Sequence, residues 1–451
     1  MDEKITKCKE LVIIGGGAVG MAVATHTRRH GNYSITVLSK DAHTAYSQCG
    51  IPFVLGGVIK DFDALIVKKP EFFKQMGINV KLNTTVDAID IDSKTIHIKH
   101  ETLPFDKLVI ATGSHLNLPG NIKPRIQLDN VFTLRTLSDG MNIRNSLETA
   151  NNLIIIGGGS IGVEVAASVS KRGINTTLVN RNHSLLSHSI DPDMAGIVQA
   201  YLVSLGVNVI TDIAPTSING IAKVGSVTIG GAGISADTVI ISTGVLPETS
   251  LAQDAGIEIG KSGGIVTDGQ LRVKVGNRFH PDVFSGGECA QVYDLLTGES
   301  FVSQLGSTAR RMAAVIGDNL CGTPSTFGPT INPWVCIVGD LQVGSVGLTN
   351  NVAKRSGENV ITGMSKGLTR AGYYPGGSQI SIKLIFNGRY LAGAQVIAGE
   401  GVKERIDGLA FAIKRKTTIV EMLEMETCYA PPVSMLVDPL MYAIEDAHKK
   451  M

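Results

Sequence analysis

Residues 11–40 read LVIIGGGAVGMAVATHTRRHGNYSITVLSK, and residues 153–181 read LIIIGGGSIGVEVAASVSKRGINTTLVNR. Their glycines stand in one frame: Gly15 matches Gly157, Gly17 matches Gly159, and Gly20 matches Gly162. Each stretch runs from an apolar β-rich segment through G-x-G-x-x-G into a small-residue helix and a second strand (Ile35 to Leu38, Thr176 to Val179), the βαβ pattern of a dinucleotide site. The first glycine permits the tight turn, the second lets backbone approach a pyrophosphate, and the third lets the helix pack on the strand. The helix N-terminus then offers N–H donors and the positive end of its dipole to phosphate. The chain is therefore expected to be α/β, with two Rossmann-like dinucleotide-binding domains.

Working outward, DKLVIATGS (Asp106 to Ser114) follows the first unit and DTVIISTGVLP (Asp237 to Pro247) follows the second. Each reads as a buried strand ending in a Thr-Gly turn, with Ala111, Thr112, Gly113 and Gly244 at the strand ends. Residues 79–99 and 221–234 alternate as antiparallel strands do. From Ile331 the pattern changes to alternating strands (Gln379 to Phe386, Tyr390 to Ile397) and two helical stretches (Gly401 to Lys416, Asp438 to Lys450), an α+β texture. The expected division is residues 1–118 with 271–328 for one dinucleotide, 119–270 for the other, and 329–451 for a C-terminal α+β domain. Both cofactor units are complete before that last domain, so its expected task is dimerisation, a two-fold homodimer being the commonest closed arrangement.

Of 451 residues, 41 are Lys or Arg and 40 Asp or Glu, a formal charge of +1. No global field exists to recruit nucleic acid or an anionic membrane, so phosphate binding must be local. The cysteines Cys8, Cys49, Cys289, Cys321, Cys336 and Cys428 form no C-x-x-C pair and no metal-ligand spacing. That argues against a metal site and structural disulfides, and for a reducing cytoplasm. No run of about 18 apolar residues is present, so a soluble protein is expected.

Two dinucleotide units in one chain point to two cofactors that exchange electrons, most simply FAD held firmly and NADPH or NADH visiting. The candidate electron acceptor is Cys49, in AYSQCGIPFVLGG (Ala45 to Gly57), just after the second strand of the first unit where a helix begins. A helix N-terminus lowers a thiol pKa, so a reactive thiolate is expected there. Cys49 has no local disulfide partner, and Gln48 beside it is a candidate substrate contact.

Together with SGGECA (Ser285 to Ala290) and Y-A-P-P (Tyr429 to Pro432), these motifs resemble the glutathione-reductase-type pyridine nucleotide-disulfide oxidoreductases. Within that family the chain is similar to the single-cysteine branch: coenzyme A disulfide reductases, NADH oxidases and peroxidases, and persulfide or polysulfide reductases. The resemblance implies that Cys49 cycles between thiolate and a mixed disulfide with coenzyme A, or passes through sulfenic acid. It implies cofactor contacts at the strand ends, Ala111, Thr112, Gly113 and Gly244. It implies that Glu288, one methylene longer than the usual Asp, binds the FAD ribityl chain, and that Glu164 lies close to nicotinamide and flavin. The helix Ser307 to Leu320 would aim its N-terminus at the flavin. Tyr429, Tyr373 and Tyr374 would reach the partner subunit's site and protonate or bond a departing thiolate. Arg28 and Arg29 could pair with coenzyme A phosphates.

The chain departs from the family pattern at several places. Ser39, followed by Lys40, stands where a ribose-binding acid is usual, although a serine hydroxyl can still bond a ribose. Ala45 replaces a serine. Asn180 with Arg181 removes the carboxylate that would repel a 2′-phosphate, which admits NADPH as well as NADH. Ala18 stands where oxidases and peroxidases carry a histidine. The expected activity is an FAD-dependent NAD(P)H:disulfide oxidoreductase acting on a small-molecule disulfide, foremost a coenzyme A disulfide reductase. Alternatives are a persulfide or polysulfide reductase, an NADH oxidase or, from another class, a redox-controlled flavoprotein docking module.

Overall fold

The computed structural model describes residues 8–120, 122 and 125–451. Its first sheet has six strands in the order Arg272–Val275, Arg278–Ser285, Lys107–Ile110, Lys9–Ile14, Tyr33–Leu38 and Ile78–Lys81. All neighbours are parallel except the Arg272–Val275 edge, which pairs antiparallel. In the central strand, Leu11 and Ile13 join one buried cluster while Val12 and Ile14 join another. A strand covered on both faces needs a continuous apolar run, and LVII supplies one.

The second sheet repeats the plan with five parallel strands: Asn208–Ile210, Asn175–Val179, Asn152–Ile156, Thr238–Ile241 and Val131–Thr133. The crossover helices are Ala18–His30 in the first unit and Ser160–Ser170 in the second. The chain leaves and re-enters the first unit through one antiparallel pair, Ser114–Leu116 with Val245–Pro247. Beyond that pair, Ala252, Ile257 and Ile265 share a core with Val12 and Ile14. The segment up to residue 270, which the sequence division leaves in the second unit, therefore packs on the first sheet. Three-stranded antiparallel sheets flank each unit, Ala88–Asp90 with Thr95–Ile98 and Glu101–Pro104, and Ser217–Gly220 with Val224–Ile229 and Ala232–Ser235.

The C-terminal domain is an antiparallel sheet ordered Trp334–Val338, Leu341–Gly347, Tyr390–Ala398, Gln379–Asn387 and Val360–Leu368. Ile380, Ile382, Leu384 and Phe386 alternate along one strand and share a buried cluster with Val402, Ile406, Leu409 and Ile413 of the helix Val402–Lys414 and with Ala443 and Ile444 of the helix Pro439–His448. This is the two-period against the 3.6-period match that buries one sheet face under helices. Two Rossmann-like units and a C-terminal α+β domain are thus present. Among the described residues no helix is long and apolar enough to cross a membrane, and no cluster of three His, Cys, Asp or Glu residues could hold a metal.

Candidate active site

The two glycine turns have matching geometry. Gly15 and Gly157 both sit at φ +119°, where only glycine is unstrained. A Cβ on Gly15 would overlap the Ala111 carbonyl, and one on Gly157 would overlap that of Ser242, so the ATG and STG strand ends press directly on the first glycine of their own units. Gly20 and Gly162 are closed in the same way by the carbonyls of Gly15 and Gly157. Gly17 and Gly159 differ: a Cβ on either would meet nothing within 4 Å. Each is the extended residue before its helix, with φ −82° and −79°. Protein packing leaves both positions open, which is the room a pyrophosphate requires. Ala18 is the first residue of its helix, and Gly113 and Gly244 turn their strand ends at φ +73° and +94°.

Cys49 lies in a short turn, Gln48–Gly50, continued by the five-residue helix Ile51–Leu55. The turn is stitched to the following loop by Ser47 N–H to Leu65 O (2.8 Å) and Val67 N–H to Ala45 O (2.9 Å). Ala45 itself adopts φ +51°. The helix is buried against the second unit: Arg172 Nη1 donates to Leu55 O at 3.0 Å, and Gly56 abuts Ser168. Cys49 consequently stands where the two dinucleotide units meet, free and exposed. Its thiol is nonetheless held above the ordinary cysteine value, by the protein mass that flanks it and by the charges of Glu164 and Glu288. This corrects the expectation of a lowered pKa. The helix behind Cys49 has only five residues, and the net influence of its surroundings is to disfavour the thiolate.

Glu164, on the second crossover helix, accepts a hydrogen bond from Ile337 N–H of the C-terminal sheet at 3.1 Å. Burial pushes its carboxyl up to about 7, against which that single N–H acts. The same carboxyl helps raise the buried Cys336 thiol, after burial itself. Glu288 lines a cleft of about 350 Å³ with Ser114, Phe301 and Gln304 among its other walls. Its Oε2 accepts a short hydrogen bond from Ser114 Oγ and faces Arg135 Nη2 at 3.2 Å. Arg135 was not legible as a site residue. Its sequence signal, R-T-L-S-D, marks only the capping box in which Thr136 and Asp139 bond each other's backbone at the start of the helix Leu137–Leu147. The helix after Glu288 runs Gly306–Leu320.

Ser39 is buried directly against the first glycine turn, touching the space beside Gly16, while Lys40 is exposed and acts on Glu248. Asn180 is also buried. Its Oδ1 accepts from Gly158 N–H at 3.2 Å, and its Nδ2 donates to the carbonyls of Asn182 (2.9 Å) and Ser184 (3.0 Å). Asn180 is thus occupied in shaping the loop, whereas Arg181 is exposed and makes no hydrogen bond or ion pair among the described residues. Arg28 Nε donates to Met76 O at 2.6 Å, and Arg29 is exposed beside it. Both stand at the end of a 13-residue helix, roughly 20 Å from its glycine turn. Only an elongated ligand could touch both ends. Tyr373 and Tyr429 come together with hydroxyls 3.0 Å apart, both exposed, and Tyr374 is exposed nearby in the same turn.

With this geometry established, comparison with known proteins gives the family. Residues 9–313 match the pyridine nucleotide-disulphide oxidoreductase model and residues 334–439 its dimerisation domain. The chain belongs to this family. It is 39% identical to a protein of Methanocaldococcus jannaschii named NADH oxidase, over 98% of this chain and 99% of that one. It is 31% identical to the NAD(P)H coenzyme A polysulfide/persulfide reductase of Pyrococcus horikoshii, over 96% and 97% of the two chains. The solved structure of an NAD-dependent persulfide reductase from A. fulgidus superposes with a TM-score of 0.93 at 30% identity, covering 98% of this chain and 83% of that one. Membership implies FAD and NAD(P)H, and an activity among the disulfide reductases, persulfide reductases and NADH oxidases. The residues present fit two dinucleotides: both turns carry an open middle glycine, and Glu288 with Arg135 offers polar groups to the first.

Proposed function

We propose that this protein reduces coenzyme A disulfide with NAD(P)H through the single thiol Cys49. The observation that carries the reading is a free, solvent-reached cysteine beside the contact of two dinucleotide units, each of which has a glycine turn open to a pyrophosphate. The first turn, Ser114, Arg135 and Glu288 would hold FAD, which would supply the path by which the electron pair of one hydride reaches sulfur. Gly157, Gly159, Gly162 and Arg181 would hold NAD(P)H, with Glu164 at the reacting end. Cys49 as thiolate attacks one sulfur of the disulfide, forming a Cys49–coenzyme A mixed disulfide and releasing one coenzyme A thiolate. Two electrons and a proton then cleave the mixed disulfide, regenerate the Cys49 thiolate and free the second coenzyme A thiol. Arg28 and Arg29, one helix length from the glycine turn, suit the phosphate end of so long a substrate. The dimerisation domain supports a homodimer in which the Tyr373–Tyr429 pair approaches the partner subunit's Cys49.

Two readings compete with oxidised coenzyme A as acceptor. The relatives named for persulfide reduction and for NADH oxidation favour a coenzyme A persulfide or oxygen, while Ala18 argues against oxygen. The test is an anaerobic panel of coenzyme A disulfide, coenzyme A persulfide, polysulfide and glutathione disulfide, with oxygen measured separately, on wild type and Cys49→Ser. The expected result is fastest turnover with coenzyme A disulfide, abolished in Cys49→Ser although flavin reduction by NAD(P)H persists. Undiminished disulfide turnover by the variant would refute the mechanism.

A further inference from the structure

An ionic network with a buried centre, Lys383 and Asp191, and a solvent edge, Asp193, joins the C-terminal sheet to the loop of the second unit. Lys383 is 3% exposed and the Asp191 side chain 2%. Lys383 Nζ lies 3.0 Å from Asp191 Oδ2 and 2.8 Å from both oxygens of Asp193. Gln395, fully buried, donates from Nε2 to Asp191 Oδ2 at 2.8 Å and accepts from Asp191 N–H at 2.9 Å. Asn350 N–H and Asn351 N–H complete the carboxylate's partners at 3.2 and 3.4 Å. Asp191 precedes the helix Pro192–Ser204 yet gives that helix no side-chain cap. Its carboxylate is directed wholly to the C-terminal domain.

Such a network adds little net stability, because desolvating the charges offsets their attraction and an apolar packing of similar volume serves as well. What it fixes is position. Asp191 closes the loop that begins at Asn180 and Arg181, and the loop is tied inward link by link. Ile190 N–H donates to Leu186 O at 3.1 Å, and Leu186 N–H donates to Gly158 O at 2.8 Å. Gly158 N–H in turn donates to Asn180 Oδ1. Leu186 is buried at φ +53°, a conformation costing about 1 kcal/mol that persists only where surroundings over-determine it. There is no slack at the other end, since a Cβ on Gly158 would overlap Leu185 and Asn180.

We propose that Lys383 and Gln395 are positioning residues for the nicotinamide nucleotide, holding the second glycine turn and Arg181 in place through Asp191. The inference rests on the reading of that turn as the NAD(P)H site. A shift of Asp191 passes along hydrogen bonds to Gly158, the residue between the tight-turn Gly157 and the open Gly159. Charge on the C-terminal sheet thereby sets nucleotide affinity from outside the nucleotide-binding unit.

The test uses the full-length, FAD-loaded protein and the variants Lys383→Met and Gln395→Met, with KM and kcat measured for NADH and NADPH alongside flavin content and Tm. Lys383→Met should raise KM for both nucleotides about tenfold while kcat changes less than about twofold, the signature of weakened ground-state binding. Gln395→Met, which removes an uncharged partner of the Asp191 carboxylate and leaves the Lys383 ammonium in place, should move KM in the same direction by about threefold. A flavin-loaded Lys383→Met protein with lowered Tm but wild-type KM would show a merely structural role and overturn the proposal. If Lys383→Met does not accumulate as folded protein, Gln395→Met decides by the same criterion. Wild-type protein that saturates with neither nucleotide would instead overturn the NAD(P)H reading on which the brace depends.

Discussion

Gly159→Ala separates what a glycine does for the fold from what it does for a ligand. Gly159 has φ −79° and ψ −175°, which alanine adopts freely, and its added Cβ meets no atom within 4 Å. Restricting the unfolded chain should stabilise the variant by about 0.4–1 kcal/mol. Alanine is a poorer residue than glycine before a helix, which takes back a similar amount, about 0.5–1 kcal/mol. The net effect on the nucleotide-free fold is within about 0.5 kcal/mol, or a Tm change of roughly 2 °C or less. The methyl group occupies the space left for the pyrophosphate, and forcing a methyl into a fitted contact costs about 1–3 kcal/mol. Affinity for NAD(P)H should therefore fall roughly 5- to 150-fold. Absorbance gives the flavin content, a thermal melt gives Tm, and anaerobic titration of the flavin spectrum gives nucleotide affinity. Unchanged NAD(P)H affinity in a folded, flavin-loaded Gly159→Ala protein would refute the assignment of the second turn. Gly162→Ala provides the contrast, since its Cβ would overlap the Gly157 carbonyl; little folded protein is expected.

Arg181→Ala should raise KM for NADPH about tenfold and leave that for NADH nearly unchanged, because only the 2′-phosphate needs the exposed guanidinium; equal effects on both nucleotides would remove Arg181 from that role. Glu164 has an unfolded value of 4.5 and a folded value of about 7, so the folded protein binds the extra proton between those limits and loses stability as pH rises through them. The loss is about 3 kcal/mol and levels off above the folded value. Urea denaturation of the nucleotide-free protein across that range should show the slope in wild type and not in Glu164→Gln, and parallel curves would reject it. Tyr429→Phe should lower disulfide turnover about tenfold while flavin reduction by NAD(P)H stays intact, as loss of one hydrogen-bonding acid predicts. Mixed dimers of Tyr429→Phe with Cys49→Ser chains should keep near half of wild-type activity if the phenol serves the partner subunit's thiol, since one site then carries both lesions and the other neither; near-complete inactivity would place the phenol in its own subunit's site.

The fingerprints were legible because covalent geometry leaves no alternative at those positions. A residue at φ +119° under a carbonyl must be glycine, and the same demand recurs at Gly15 and Gly157. The buried strands were equally plain, since a parallel strand covered on both faces has to be apolar throughout. The strand ends at Ala111 and Ser242 also followed, because each lies one strand away from its glycine in a fixed right-handed crossover. Other contacts have no such local signature. Arg135 meets Glu288, Glu164 meets Ile337, and Lys383 meets Asp191 across different domains. Glu164 and Glu288 stand out in sequence only through the family resemblance, their partners and the Lys383–Asp191 pair do not, and only the packing of three domains brings them together.

Cys49 shows how this division decides chemistry. Its proposed role as the reactive thiol rests on its place after the first βαβ unit, which is local information. Its acidity does not, because burial by the surrounding protein raises the pKa first, and the carboxyls of Glu164 and Glu288, which add to that, come from the second crossover helix and from the return of the chain to the first sheet. The short helix that was expected to favour a thiolate has too few aligned peptides to oppose burial and those two carboxyls together. Inspection of residues 45–57 alone therefore predicts the wrong sign. The donor proposed for that thiol, or for a departing thiolate, in the partner subunit is the exposed Tyr373–Tyr429 pair, whose hydroxyls lie 3.0 Å apart at the surface of the dimerisation domain.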